Sequence, residues 1–123
     1  MHQSSPEQIR DRARIIREAG GLDAALKTGR LQQIVRVSLS EGLVLGLLKQ
    51  GVRKYFAIFG HGSTDLGEVM RIYEEEGLIR TINCRNEVEM AHAATTLAWQ
   101  YGECCAVVTS IGPGALQAMA GSL

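Results

Sequence analysis

The chain has 123 residues and a mass of 13.4 kDa, which is the size of one domain. Hydrophobic residues make up 46% of it, and no apolar run reaches the roughly 18 residues of a membrane span. This composition argues against a disordered tail and against a membrane protein. The 13 Lys/Arg and 13 Asp/Glu cancel, so the basic excess typical of nucleic-acid-binding proteins is absent and no nucleic-acid partner is expected.

The charges are distributed unevenly along the chain. Residues 1–54 hold ten Lys/Arg and five Asp/Glu, whereas residues 55–123 hold three and eight. The simpler interpretation is a basic helical segment packed against a more acidic domain, and a patch that attracts an anion is the alternative.

Three cysteines bear on metal binding and on the cellular compartment. Cys84, Cys104 and Cys105 show no metal-ligand spacing, and the start of the chain lacks an apolar signal region. We therefore expect no metal site and reduced thiols in a cytoplasmic protein. Cysteine buried on a strand is the structural alternative.

The first 37 residues predict a helical extension. Ser5-Pro6 is typical of a helix start, and this helix is expected to run to about Ala19, with a second short helix over 22–27. Few apolar residues recur at helical spacing in it: Ile9, Ala13 and Ile16. We expect an appendage that packs on another part of the molecule but lies outside its core, and divide the chain into a helical N-terminal extension (1–37) and an α/β domain (38–123).

Helical and strand patterns alternate after residue 37. Ser38 and Glu41 fit a capping box at the start of a helix that ends at Gly51. Three apolar stretches then predict strands, each followed by a helix: 55–59, 78–84 and 104–109. This alternation predicts a three-layer α/β fold with a mostly parallel sheet and helices on both faces. In the helix that begins at Asn86, the residues expected to face inward are Met90, Ala91, Ala94, Leu97, Ala98 and Tyr101.

Unusual residues follow each predicted strand, at 60–62, 85–87 and 109–114. The carboxyl ends of parallel strands share one edge, where ligands bind in such folds, so we expect these turns to converge. Gly60 and Gly62 do not complete a dinucleotide fingerprint, because the sixth position is Asp65. Two explanations for these glycines remain: the turn needs a positive φ, or its backbone approaches a ligand closely.

Two candidate side chains lie in these turns. Glu87 begins a helix among apolar and small residues, where a desolvated carboxylate can exchange a proton near neutral pH; compensation of the helix dipole is the alternative. His61 is expected to handle a proton or contact a substrate, or to be a surface turn residue. His92 is expected to be a core or interface histidine. Thr109 and Ser110 lack the partners of a catalytic triad.

The three motifs together resemble the N-terminal pyrimidine-binding domain of thiamine-diphosphate-dependent enzymes. They are Phe59-Gly60-His61-Gly62, the run from Arg85 to Ala94, and the run from Thr109 to Ala115. Acetolactate synthase, the benzoylformate decarboxylase group and the trihydroxycyclohexanedione hydrolase of inositol catabolism share this domain, and the first motif is most similar to that hydrolase. The resemblance covers about Val37 to Leu123. Two departures are an Asn at position 86, where many relatives have His, and the additional Ile111.

The resemblance implies roles for individual residues. Glu87 corresponds to the activating glutamate, which hydrogen-bonds the aminopyrimidine ring so that the cofactor's own imine removes the thiazolium C2 proton. His61 joins it as a catalytic residue. The residues implied in binding thiamine diphosphate, beside Glu87, are Gly60, Gly62, Thr109, Gly112, Pro113 and Gly114. The implied substrate is a 2-keto acid or a cyclic dione.

The resemblance also implies a partner. In these enzymes a separate C-terminal domain, with a Gly-Asp-Gly and a later Asn, holds the diphosphate and Mg²⁺, and this sequence contains no such pattern. We therefore expect a truncated domain, inactive alone, that works with a missing C-terminal half or a second subunit and forms a homodimer or tetramer when complete. A Rossmann-like nucleotide-binding domain and a non-catalytic α/β interaction subunit are the alternatives.

Overall fold

The computed structural model describes residues 4–122. The elements in chain order are α1 (Pro6–Glu18), α2 (Leu22–Lys27), α3 (Leu39–Lys49), β1 (Lys54–Ala57), α4 (Thr64–Glu75), β2 (Arg80–Asn83), α5 (Glu87–Tyr101), β3 (Ala106–Val108) and α6 (Pro113–Ala120). None of the helices in the described range is long and apolar enough to cross a membrane.

The three described strands form one parallel sheet in the order β2-β1-β3. In the register, Phe56 of the central strand lies between Ile82 and Val107. The connections through α4 and α5 run in opposite directions across the sheet, so right-handed crossovers place these helices on opposite faces. The predicted three-layer α/β fold is therefore confirmed.

The strands are shorter than the apolar stretches that predicted them. The amide of Leu78 donates to the carbonyl of Tyr73 and closes the end of α4 at 3.0 Å, so the ladder begins only where Arg80 donates to Arg53 at 2.8 Å. On the other side, pairing with β1 begins at Ala106. Hydrogen bonding to a helix end therefore shortens the second predicted strand, and the later start of pairing shortens the third. The first strand spans 54–57 instead of the predicted 55–59.

The cysteines consequently lie beside the strands rather than on them. Cys84 and Cys105 are half-buried, and Cys104 is exposed. Partial burial is the main cause that raises the pKa of the Cys84 and Cys105 thiols. The alternative of cysteine buried on a strand is wrong for these residues.

The N-terminal helices contribute to the core, contrary to expectation. Ala13 and Ile16 are fully buried, and they belong to the same hydrophobic cluster as Met70 and Tyr73 of α4 and Tyr55 of β1. A stripe of three apolar residues suffices because α1 packs against α4, and all three belong to one buried cluster with residues of that helix. The segment is helical as predicted, but it is not an appendage outside the core.

A buried ion pair also ties α1 to the α/β part. Glu41 is fully buried and accepts two hydrogen bonds from Arg12, at 2.7 and 2.5 Å. The hydroxyl of Tyr73 donates to the same carboxylate at 3.2 Å. Burial, followed by the charge of Glu41, raises the pKa of Tyr73.

Only half of the predicted capping box forms at the start of α3. The Ser38 hydroxyl accepts a hydrogen bond from the amide of Glu41 at 3.2 Å. The Glu41 side chain does not return to the Ser38 backbone, because it turns inward to Arg12 and Tyr73. A long-range ion pair thus replaces the local contact that the spacing predicted.

Ion pairs along α1 explain part of the charge asymmetry. Arg10 pairs with Glu75 at 2.7 Å, and Arg17 pairs with Glu76 at 2.6 Å. The interpretation of a basic helical segment packed against an acidic domain is confirmed for this helix.

The second half of α5 is more exposed than predicted. Met90 and Ala91 are buried, but Ala98 is exposed and Tyr101 is 74% exposed, because no described element covers that part of the helix. His92 is also exposed, so its assignment as a core histidine is wrong. Its alternative assignment, an interface histidine, stays a prediction.

Candidate functional site

The turn between β1 and α4 is closed by a serine. The hydroxyl of Ser63 accepts a hydrogen bond from the Gly60 amide and donates one to the Gly60 carbonyl, each at 3.1 Å. Ser63 is the N-cap residue of α4, but because its hydroxyl bonds within the turn it makes no side-chain capping bond to the helix. This closed turn follows β1 directly and lies at the carboxyl edge of the sheet.

The turn between β3 and α6 packs against this first turn. A Cβ on Gly60 would lie 2.7 Å from the Cβ of Ser110, and one on Gly62 would lie 2.9 Å from a methyl carbon of Ile111. The Ser110 hydroxyl donates to the His61 carbonyl at 3.4 Å. Gly62 also has φ = 96°, so both a positive φ and a close approach require glycine there. The group approached is another turn of the same chain.

Glu87 is positioned by the start of α5. Asn86 caps this helix, with its side-chain oxygen accepting a hydrogen bond from the Glu89 amide at 2.8 Å. Glu87 is the first helical residue and is half-buried, whereas Glu89 is exposed as predicted and pairs with Arg85. The Glu87 carboxylate forms no hydrogen bond or ion pair with another residue in the range 4–122.

The Glu87 carboxylate reaches the third turn. One of its oxygens lies 2.9 Å from the position that a Cβ on Gly114 would occupy. The close packing of α6 on α5 holds this arrangement, since a Cβ on Gly121 would lie 2.7 Å from the Val88 carbonyl oxygen. The three turns thus meet at one edge, with Ser110 between the first and third and Glu87 between the second and third.

Other predicted site residues lie in these turns, and within residues 4–122 none of them forms a hydrogen bond with the Glu87 side chain. The His61 side chain is exposed, and its turn contact is made through the backbone carbonyl. Thr109 is half-buried, Pro113 begins α6 and is exposed, and Gly112 precedes it with φ = 64°. These residues share the edge with the carboxylate.

Ser110 makes a contact between turns that the sequence did not predict. It was considered only as a nucleophile, whereas the structure uses it to join two turns that lie 49 positions apart. Its small side chain beside a glycine-rich turn was the available signal, because close backbone approach needs small residues on both sides.

The comparison with protein families decides what kind of domain carries this edge. A family model described as thiamine pyrophosphate enzyme, N-terminal TPP binding domain, matches residues 37–122. The chain belongs to this family. The match includes all three turns and leaves α1 and α2 outside. Membership identifies a thiamine-diphosphate-binding enzyme domain. No curated protein and no solved structure matches the chain significantly.

The geometry around Glu87 fits the aminopyrimidine end of this cofactor. The half-buried Glu87 carboxyl group has no partner among residues 4–122, so it can donate a hydrogen bond to a ring nitrogen when protonated and accept one from a ring N–H when ionised. Gly114 leaves open the space that a side chain would fill next to it. Within residues 4–122 there is no group of three His, Cys, Asp or Glu side chains that could hold a metal ion.

Proposed function

We propose that this chain supplies the pyrimidine-binding part of the active site of a thiamine-diphosphate enzyme that acts on a 2-keto acid or a cyclic dione. The observation that carries the proposal is the half-buried Glu87 carboxylate beside Gly114, which has no hydrogen-bond or ion-pair partner in the part of the chain that the structure describes. Thiamine diphosphate, when bound, supplies a thiazolium carbon that adds to a carbonyl group.

Glu87 is the residue that holds and moves the proton in this proposal. It lies in the first turn of α5, is half-buried and forms no hydrogen bond with another residue in the range 4–122, so its carboxyl group is open to a bound ring. Partial removal from water strengthens a hydrogen bond to a ring nitrogen. The protein's contribution is one oriented carboxyl group, which donates this hydrogen bond when it holds the proton and accepts it when the ring nitrogen does, and which the packing of α5 against α6 keeps in position.

The turns are proposed to shape the space around that carboxyl group. The contact between Gly60 and Ser110 fixes the first turn against the third, so the backbone around Gly62, Thr109, Gly112 and Pro113 is held in place. We assign His61, which is exposed at this edge, to contact with the substrate. These assignments rest on the shared position of the residues and on the family.

We also propose that a second domain or subunit binds the diphosphate and Mg²⁺, and that the chain is inactive without it. The apolar surface near the turns supports a partner on this side. The large exposed residues on β3, the third turn and α6 are Val107, Ile111, Leu116 and Met119. A homodimer or homotetramer would cover this surface when the enzyme is complete.

Ligand titration with the full chain tests the cofactor assignment. Thiamine diphosphate added with Mg²⁺ should shift the backbone amide NMR signals of Glu87, Gly114 and the turn at 60–62. Glu87→Gln should weaken this binding by about tenfold, since a hydrogen bond to a charged group is worth ~1.5–3 kcal/mol. In the enzyme assembled with its diphosphate-binding partner, Glu87→Gln should also slow exchange of the C2 proton.

Glu89→Gln is the matched control. Glu89 lies two positions along α5, is exposed and pairs with Arg85, so its variant should bind and exchange like the parent protein. Shifts caused by NADH at these turns, with none caused by thiamine diphosphate, would instead favour a nucleotide-binding domain. Equal C2 exchange in the Glu87→Gln variant and the parent enzyme would remove Glu87 from the mechanism.

A further inference from the structure

A cavity of about 620 Å³ lies at the opposite end of the sheet from the three turns. Its lining includes Gly51 and Arg53, which precede β1, and Gly77, which precedes β2. The candidate site follows these same strands, so the two lie at opposite ends of the sheet. The junction of α1 and α2 and the last turn of α3 complete the lining, and a cavity of about 320 Å³ shares Lys27 with it.

Positive charge dominates the lining of this cavity. Four cationic residues and one carboxylate line it: Arg17, Lys27, Lys49, Arg53 and Asp23. Arg17 is paired with Glu76 at 2.6 Å, and Lys49 is paired with Asp23. Lys27 and Arg53 are exposed and form no ion pair with another residue in the range 4–122. Two cations are therefore available to a ligand.

Helix dipoles offset only part of this charge. Helices α1, α2 and α3 end at the cavity, and each carboxyl end carries about half a negative charge. Arg17, Lys27 and Lys49 lie in the last turns of these helices, where a cation is favourable. The carboxyl end of α4 also reaches the cavity, at Gly77 and Leu78. Arg53 lies outside the helices and adds a fourth positive charge to the lining.

We propose that this cavity binds a small phosphate-bearing anion, with Lys27 and Arg53 donating to the phosphate oxygens. The volume is in the range of about 300–1,000 Å³ that small-molecule sites occupy, so a nucleotide or a smaller diphosphate fits it. Arg53 offers a planar fork that matches phosphate geometry, and Lys27 adds a point charge. Leu22, Leu48 and Leu78 provide an apolar wall for an organic body.

The site is built by residues on both sides of the boundary of the family match. The α1–α2 segment precedes residue 37, where the match begins, and the rest of the lining belongs to the matched domain. A ligand in the cavity would contact both parts and hold them together. An anion-attracting patch is the alternative explanation of the basic N-terminal half, and this cavity is the place we propose for it.

Calorimetric titration of the full chain at low salt tests the proposal, with ADP, inorganic pyrophosphate and adenosine as probes. ADP and pyrophosphate should bind, and adenosine should not. Lys27→Ala and Arg53→Ala should each weaken binding about tenfold, and added salt should weaken it further. Tighter binding of ADP than of pyrophosphate identifies an organic phosphate as the ligand, and equal binding identifies inorganic diphosphate.

Arg36→Ala is the matched control, because Arg36 is exposed in the same basic half of the chain and does not line the cavity. It should bind ADP as the parent does, with circular dichroism verifying that every variant is folded. Absence of binding by both anions, equal binding of adenosine, or an equal loss in Arg36→Ala would overturn the proposal. Glu87→Gln should leave ADP binding unchanged, so this result is independent of the proposed function.

Discussion

At the edge of the sheet, the position of one carboxylate depends on a residue without a side chain. Glu87 lies in the space beside Gly114, and a methyl group there would come within 2.9 Å of its oxygen. Real Cβ atoms do not approach other atoms so closely, and the flexible carboxylate would yield before the helix backbone does. Glycine at this position therefore controls where the carboxylate lies.

We expect Gly114→Ala to separate binding from folding. The added methyl should displace the Glu87 carboxylate and weaken thiamine diphosphate binding about tenfold or more, as loss of a charged hydrogen bond does. Gly46→Ala is the control, because Gly46 lies inside α3 with no atom within 4 Å of an added Cβ. It should raise the free energy of unfolding by ~0.5–1 kcal/mol and leave binding unchanged. Calorimetry and urea unfolding measure the two quantities.

If Gly114→Ala binds thiamine diphosphate with unaltered affinity, the Glu87 carboxylate does not need the space beside Gly114 in order to bind the cofactor. A large loss of stability in the same variant would instead assign Gly114 to the packing of α6.

Sequence reasoning located Glu87 but not what surrounds it. A strand followed by a capping residue and a carboxylate is a local pattern, and Asn86 caps α5 as expected. The contact of Ser110 with Gly60 joins turns 50 positions apart and depends on how the strands are ordered. Local spacing carries no information about such a contact.

Helix α1 shows how a polar contact reaches across elements. Its Arg12 neutralises Glu41 of α3, and Tyr73 of α4 donates to the same carboxylate, so three helices meet at one buried charge. The spacing of Ser38 and Glu41 predicted the helix start correctly but assigned the side chain to the wrong partner, because Arg12 lies 29 positions away.

Removing one member of this ion pair should destabilise the protein strongly. In Arg12→Met the Glu41 carboxylate stays buried without its cationic partner and keeps only the hydrogen bond from Tyr73, which costs about 3–5 kcal/mol. The double variant Arg12→Met with Glu41→Leu should recover much of that loss, since no buried charge is left. Arg14→Ala, at an exposed position of the same helix, should change stability by about 0.5 kcal/mol or less. Urea unfolding of the four proteins gives the comparison.

A small effect of Arg12→Met would show that Glu41 finds water or another partner. A double variant with a lower free energy of unfolding than Arg12→Met alone would show that the ion pair itself stabilises the protein.

At the scale of the whole molecule, surface ion pairs link stability to pH. The pKa values of Asp23, Glu68 and Glu75 are lowered, in each case mainly by a hydrogen bond, from Lys49, Arg71 and Arg10 respectively. In the unfolded chain these carboxyls titrate near pH 4. Their contribution to stability is therefore complete above that pH and is lost as the pH falls through the lower folded values.

We expect the melting temperature to fall as the pH decreases below about 4. Glu75→Gln should melt lower than the parent at pH 7, and its decline on acidification should be shallower, because one lowered carboxyl is missing. Added salt should reduce the difference, since Glu75 and its partners are exposed. Melting curves followed by circular dichroism at pH 7, 4 and 3 measure this, and parallel declines in both proteins would contradict it.

The topology was the most predictable property of the molecule. Alternating helices and strands left few arrangements, and the observed parallel sheet is one of them. The side chains at Tyr101 and His92 were less predictable, because helical periodicity says which residues share a face and not whether another element covers that face.

Because α1 packs into the core, the boundary of the family match differs from the boundary of the hydrophobic core. Shared ancestry, as the family match records it, begins at residue 37, whereas the cooperative unit already includes Ile9 and Ala13. Transplanting the cofactor-binding portion into another scaffold therefore requires residues 6–18 as well, or a designed substitute that covers Tyr73 and neutralises Glu41. The family match therefore gives the bounds of the related sequence, whereas the hydrophobic core gives the residues that must be transferred together.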